Sequence, residues 1–201
     1  MSVYLSNKSL ILGIILMATI NTNAQKLKFL VPDAAIAQYA GSIGRASAGI
    51  SYDLFKNKRG NLDLLYGYVP ERKGGAFSTV TTKFNYRPFV IKAGKNFVIY
   101  PINPGAFISY TVNKDFDLTW DRGQYPKGYY YWSEALRFHL ACSSEVKIKT
   151  PTLFKNEQLK SVSVYYEINT NDVYLINYAQ NKRYLDITGI FKAGIGIRAS
   201  F

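Results

Sequence analysis

The chain has 201 residues, 48% of them hydrophobic and 19% charged, and a formal net charge of +12. That length suits one domain, and so large a charged fraction excludes a bundle of membrane-spanning helices. A single cysteine and a single histidine leave no internal disulfide and no ligand set for structural zinc, so no metal or cofactor is expected.

Residues 1–24 have the order of a secretory signal: Lys8, a short apolar run over 9–20, then small and polar residues as far as Ala24. The apolar run falls short of the roughly 20 residues a helical span requires. The mature chain is expected to begin near Gln25, with 25–35 a short periplasmic segment. Export argues against nucleic acid as the partner of the positive charge.

From about Ile36 onward the hydrophobic period is two, the signature of strands. Eight strands are expected, over roughly 36–43, 46–55, 61–69, 78–91, 96–112, 134–148, 160–169 and 187–201. In the second, Ala46, Ala48, Ile50, Tyr52 and Leu54 alternate with Ser47, Gly49, Ser51 and Asp53. In the third, Leu62, Leu64, Tyr66 and Tyr68 alternate with Asp63, Leu65 and Gly67. Val80, Thr82, Phe84 and Tyr86 oppose Thr81, Lys83, Asn85 and Arg87. Later strands set Leu136, Phe138, Leu140 and Cys142 against Arg137, His139 and Ala141, and Val162, Val164, Tyr166 and Ile168 against Ser163, Tyr165 and Glu167. The last sets Phe191, Ala193, Ile195, Ile197 and Ala199 against Lys192, Arg198 and Ser200. Short connections alternate with long ones, the loop pattern of an outer-membrane barrel.

The fold class expected is therefore all-β, an eight-stranded antiparallel transmembrane barrel over 36–201 in the outer membrane of a Gram-negative envelope. No mature segment has the apolar length of a spanning helix, and a closed sheet is the other structure that satisfies every backbone group in hydrocarbon. Eight strands leave an interior just wide enough for side chains. Asp53, Asp63, Lys83, Arg87, Arg137, His139, Glu167, Lys192 and Arg198 are expected to form a charge network there, with a surplus of positive charge that the pattern does not explain. The short connections carry Lys56, Lys58, Arg59, Lys92 and Lys95, a basic rim suited to anionic headgroups or acidic polymer.

The pattern, together with "NTNAQ" near the start and "GIGIRASF" at residues 194–201, resembles the small outer-membrane barrels of the Bacteroidota. The resemblance implies that Ile197, Ala199 and Phe201 present an assembly signal to the barrel-assembly machinery. "GISYDL", a "YGY" strand and "PGAFISYTV" are similar in order to the lipid A deacylase barrels. That family's His-x-Ser motif is missing: strand seven reads "SVSVYYEINTND". No catalytic residue is carried over, and the likeness implies architecture alone.

Two further groups are candidates for chemistry. His139 with Ser143 or Ser144, Glu134 and Glu145 has the residue types of a hydrolase, but residues four apart on a strand lie about 13 Å apart. The loop "WDRGQYPKGYYYW" offers Trp120, Arg122, Tyr125, Lys127, Tyr129 and Tyr130 for sugars, lipid phosphates or an envelope partner. The stretch "NTNDVYLINYAQN" is expected as a short helical or folded segment over the barrel mouth. The leading expectation is a non-enzymatic barrel with a closed, charge-filled lumen, binding outer-membrane lipids and lipopolysaccharide and an envelope partner through its loops. The alternatives are a lipid-modifying acyl hydrolase and a small pore.

Overall fold

The computed structural model describes residues 30–71, 76–112, 135–149 and 159–201. The expected export signal at 1–24 and the aromatic loop holding Trp120, Arg122, Tyr125, Lys127, Tyr129 and Tyr130 lie outside those residues. The compact unit Asp33–Phe201 carries β1 (Ala34–Ala40), β2 (Ala46–Leu54), β3 (Gly60–Val69), β4 (Phe77–Tyr86), β5 (Ile91–Ala93), β6 (Phe97–Val112), β7 (Leu136–Lys149), β8 (Ser161–Asn171) and β9 (Lys192–Ser200). A helix, α1 (Asp172–Gln180), and a 3-10 turn (Ile187–Ile190) join β8 to β9.

Every pairing is antiparallel. The order runs β4-β3-β2-β1-β9-β8-β7-β6, and β4 pairs with β6 from Ser78↔Val112 to Asn85↔Gly105. That last pairing closes an eight-stranded barrel and removes both sheet edges. β5 pairs only with the start of β6, where β6 runs on past the end of β4. One end of the barrel carries the 55–59 and 87–96 connections and is here the turn end. The other carries the 41–45 turn and α1 and is the helix end.

Three expected boundaries change. The first strand stops at Ala40, not 43, because Ala40 and Gly41 turn to φ 61° and 83°, outside the strand region. The fourth stops at Tyr86, before Arg87 and Pro88, since proline has no N–H for the ladder; the chain resumes pairing only in the separate, short β5. The last strand begins at Lys192, after the 3-10 turn capped by the Asp186 carboxylate, which accepts from the Thr188 N–H at 3.2 Å.

The 41–45 turn is not a simple hairpin loop. It folds over the helix end so that Ile43 is buried against Ile36, Leu65, Phe107 and Tyr165. Thr79 Oγ1 donates to the Ile43 carbonyl at 2.7 Å, and Ser42 Oγ donates to Asn169 Oδ1 at 2.5 Å. Gly67 makes this docking possible, because a Cβ there would overlap the Ile43 carbonyl. α1 lies beside the outward face of β7 and β8 rather than over the mouth. Thr170, outward in register, is buried, and Leu175 lines one crevice with Leu140, Cys142 and Ile168.

Gly67→Val is expected to expel Ile43 from the barrel end and to cost at least about 1–3 kcal/mol, the usual range for overpacking. An unchanged denaturant midpoint would show that the turn does not depend on this close approach.

Candidate functional site: an ion-paired lumen

Alternation sends one set of side chains inward along every strand. The result inverts a water-soluble core. Among the described residues, the buried set holds 21 polar or charged side chains and eight hydrophobic ones. Residues 37–57% exposed include Tyr39, Ile50, Leu64, Tyr66, Val80, Ile108, Ile195 and Ile197 on the outer face.

Among the described residues three ion pairs cross the lumen, each between strands that are not neighbours. Arg198 of β9 forks onto Asp63 of β3, with Nη1–Oδ1 at 2.9 Å and Nη2–Oδ2 at 3.0 Å. Arg198 also donates to Ser51 Oγ, while Asp63 accepts from Asn61 at 2.9 Å and Asn85 at 3.4 Å. Such a bidentate pair with further hydrogen bonds is the geometry in which a buried charge pair is tolerated. Lys83 of β4 bonds Glu167 of β8 at 2.8 Å. Gln38 joins this pair, accepting from Lys83 at 3.0 Å and Tyr165 at 2.8 Å while its amide donates to Glu167 at 3.4 Å. Asn169 donates to the same carboxylate at 3.2 Å. Arg87, just past β4, donates twice to Glu145 Oε2 of β7, at 2.8 and 3.1 Å. The hollow enclosed by these residues has a volume of about 10 Å³, room for a single water molecule.

Asp63, Lys83, Arg87, His139, Glu167 and Arg198 are thus buried inside the barrel. The other three residues of the expected network are not part of it. Asp53 faces the turn-end rim and pairs with Lys58 at 3.4 Å. Lys192 is exposed at the helix end, 5.3 Å from the Tyr174 ring. Arg137 is half-buried and donates to the Leu136 carbonyl at 2.8 Å. Each has inward parity, but each stands near a strand end, where the inward direction opens into a mouth. Ile197 and Phe201 are about half exposed, with the Phe201 N–H donating to the Asp33 carbonyl at 2.9 Å; Ala199 is partly covered.

From sequence, Glu145 is a candidate only within the hydrolase group. Continuing the alternation of Arg137, His139 and Ala141 to Ser143, Glu145 and Lys147 would have identified it as inward. Tyr100 was beyond reach by that route. A bulge at Pro101 and Ile102 shifts the pairing from Tyr100↔Glu145 to Asn103↔Ser143, so both Tyr100 and Asn103 point inward although their numbers differ in parity. Tyr100 there meets Arg87, 5.0 Å from its ring centroid, and Lys147, at 5.7 Å.

The hydrolase group does not assemble. Glu145 is tied to Arg87, Ser144 donates outward to the Pro101 carbonyl, and Ser143 accepts from Asn103 at 3.5 Å. Glu134 lies outside the described residues. His139 bonds Ser109 of β6 instead, Nε2 to Oγ at 2.9 Å, and stacks on Phe107 at 4.1 Å with an interplanar angle of 8°. Both Ser109 and His139 are buried. Among the described residues no group of His, Cys, Asp and Glu has metal-binding geometry.

The class defined by fold and site is a closed eight-stranded antiparallel barrel with an ion-paired interior. No family model matches the chain, and no curated protein or solved structure is detectably similar to it.

Removing one partner of a lumen pair leaves a buried charge without compensation, at a cost of about 3–5 kcal/mol. Asp63→Ala is expected to fall in that range by denaturant unfolding. Replacing Lys83 with Met and Glu167 with Leu together is expected to cost less than either change alone. A double variant as unstable as the sum of the singles would mean that the two groups do not act as a pair.

Proposed function

We propose that the chain is an integral outer-membrane barrel protein whose lumen is sealed and whose role is structural or binding. One observation carries it: a continuous apolar outer surface encloses a charged, ion-paired interior. Exposed apolar patches on a water-soluble monomer reach a few hundred Å², whereas here apolar side chains line the outer face of every long strand. Aromatic residues stand at both ends of this band, as girdles do at the two membrane interfaces. Tyr39, Tyr66 and Tyr68 lie toward the helix end, and Phe55, Tyr86, Phe89 and Phe97 toward the turn end. Phe55 packs edge-on against Phe84 and Tyr86, with centroids 6.4 and 6.3 Å apart. No described helix is long and apolar enough to cross a membrane, so the strands are the spanning elements of this proposal.

In this orientation the turn end faces the periplasm and the helix end the outside. The partners are outer-membrane lipids and lipopolysaccharide around the band, the barrel-assembly machinery during insertion, and an envelope partner at the outer loops. The three pairs across a lumen with room for about one water oppose the pore reading. Ser109 and His139 are buried with inward parity, which opposes the lipid hydrolase reading.

The protein should fractionate with outer membranes, need detergent for extraction and migrate faster on gels unheated than boiled. Recovery in a soluble fraction without detergent overturns the proposal. In planar bilayers it should give no single-channel steps, and Ser109→Ala should leave the acyl profile of lipid A unchanged.

A further inference from the structure

At the turn end, Lys58 and Arg59 from the β2–β3 connection, Lys92 of β5 and Lys147 of β7 line one hollow of about 730 Å³. Tyr100 and Asp53 also line it. The elements that bring these groups together are distant in sequence and meet only because β5 and β6 extend past the end of β4. Arg59 is anchored, with Nη1 donating to the Pro88 carbonyl at 3.1 Å. Lys147 stands 5.7 Å from the Tyr100 ring.

Four cations thus meet one carboxylate, and Asp53 is already engaged by Lys58 at 3.4 Å. The next charged layer inward is self-neutralised, since Arg87 is paired with Glu145. Among the described residues of the lining, nothing balances a surplus of three positive charges. A concave site of one sign focuses its field and concentrates counter-ions, and the volume is in the range of small-molecule sites. A phosphate monoester carries about −1.5 to −2 charge at neutral pH, so one to two phosphate groups match the surplus.

We infer that this vestibule is a binding site for a multiply charged phosphate-bearing ligand, either a free phosphate compound or a phospholipid headgroup. Lys58, Lys92 and Lys147 supply the charge, Arg59 a fixed guanidinium, and Asp53 limits the affinity by holding Lys58. The chemistry of the site does not depend on whether the outer face meets lipid.

The test uses the full chain in nonionic detergent, titrated calorimetrically with inorganic pyrophosphate and, separately, with mixed micelles containing phosphatidic acid. Saturable binding of pyrophosphate identifies a free phosphate compound as the ligand type; binding of phosphatidic acid alone identifies a headgroup. Lys58→Ala with Lys92→Ala, both at exposed positions, should weaken binding about thirtyfold, the scale of two lost charges near a surface. Asp53→Asn should strengthen it. Lys182→Ala with Arg183→Ala removes the same charge from the helix end and should leave it unchanged. Binding of neither probe overturns the inference. So does equal weakening by the Lys182 and Arg183 pair, which would reduce the effect to net charge.

Discussion

The closure of β4 onto β6 is the constraint on which the rest of the structure depends. Once the sheet closes with eight strands, the interior is too narrow to hold water freely, and the inward charges must find partners among one another. Among the described residues three cations therefore stand opposite three carboxylates, and amides add further hydrogen bonds to Asp63 and Glu167. The pairs join strands that are not neighbours, so they also tie opposite walls of the barrel together. Desolvation makes such pairs costly in themselves. What they supply here is mutual dependence: a slip of one strand by a single residue would turn its charges outward and strand their partners.

The same geometry distributes the remaining charge. Among the described residues the interior is balanced by Lys83 with Glu167, Arg87 with Glu145, and Arg198 with Asp63. The apparent inner surplus of positive charge disappears because Glu145 is inside and Arg137 and Lys192 stand at the helix-end mouth, while Lys147 stands at the turn-end mouth. There the charge is partly solvated and available to a ligand. The ion pairs fill the middle of the barrel, where the hollow among them has room for about one water.

Much of the fold was legible because a strand with one polar and one apolar face announces itself residue by residue. The alternation around Asp63, Lys83, Tyr165, Glu167 and Arg198 located their inward face directly. It was less informative at the ends. Asp53, Arg137 and Lys192 have the same parity as the buried charges, but whether an inward side chain is sealed or open depends on the stagger of the strands. Tyr100 depended on the bulge at Pro101 and Ile102, which reverses parity within one strand. The partners within the site depended on closure. Ser109 is 30 residues from His139 and Asp63 is 135 from Arg198, and no local pattern records which strands face each other across a lumen.

By itself, then, the sequence determined the strand period, the approximate number of strands and the chemical character of their two faces, because these depend on local side-chain order. Only the tertiary structure decided which charges pair, that the 41–45 turn folds into the barrel end, that α1 lies against the outer wall, and that four cations converge on one vestibule. Each of these is set by strand register and closure, which bring together residues far apart in the chain.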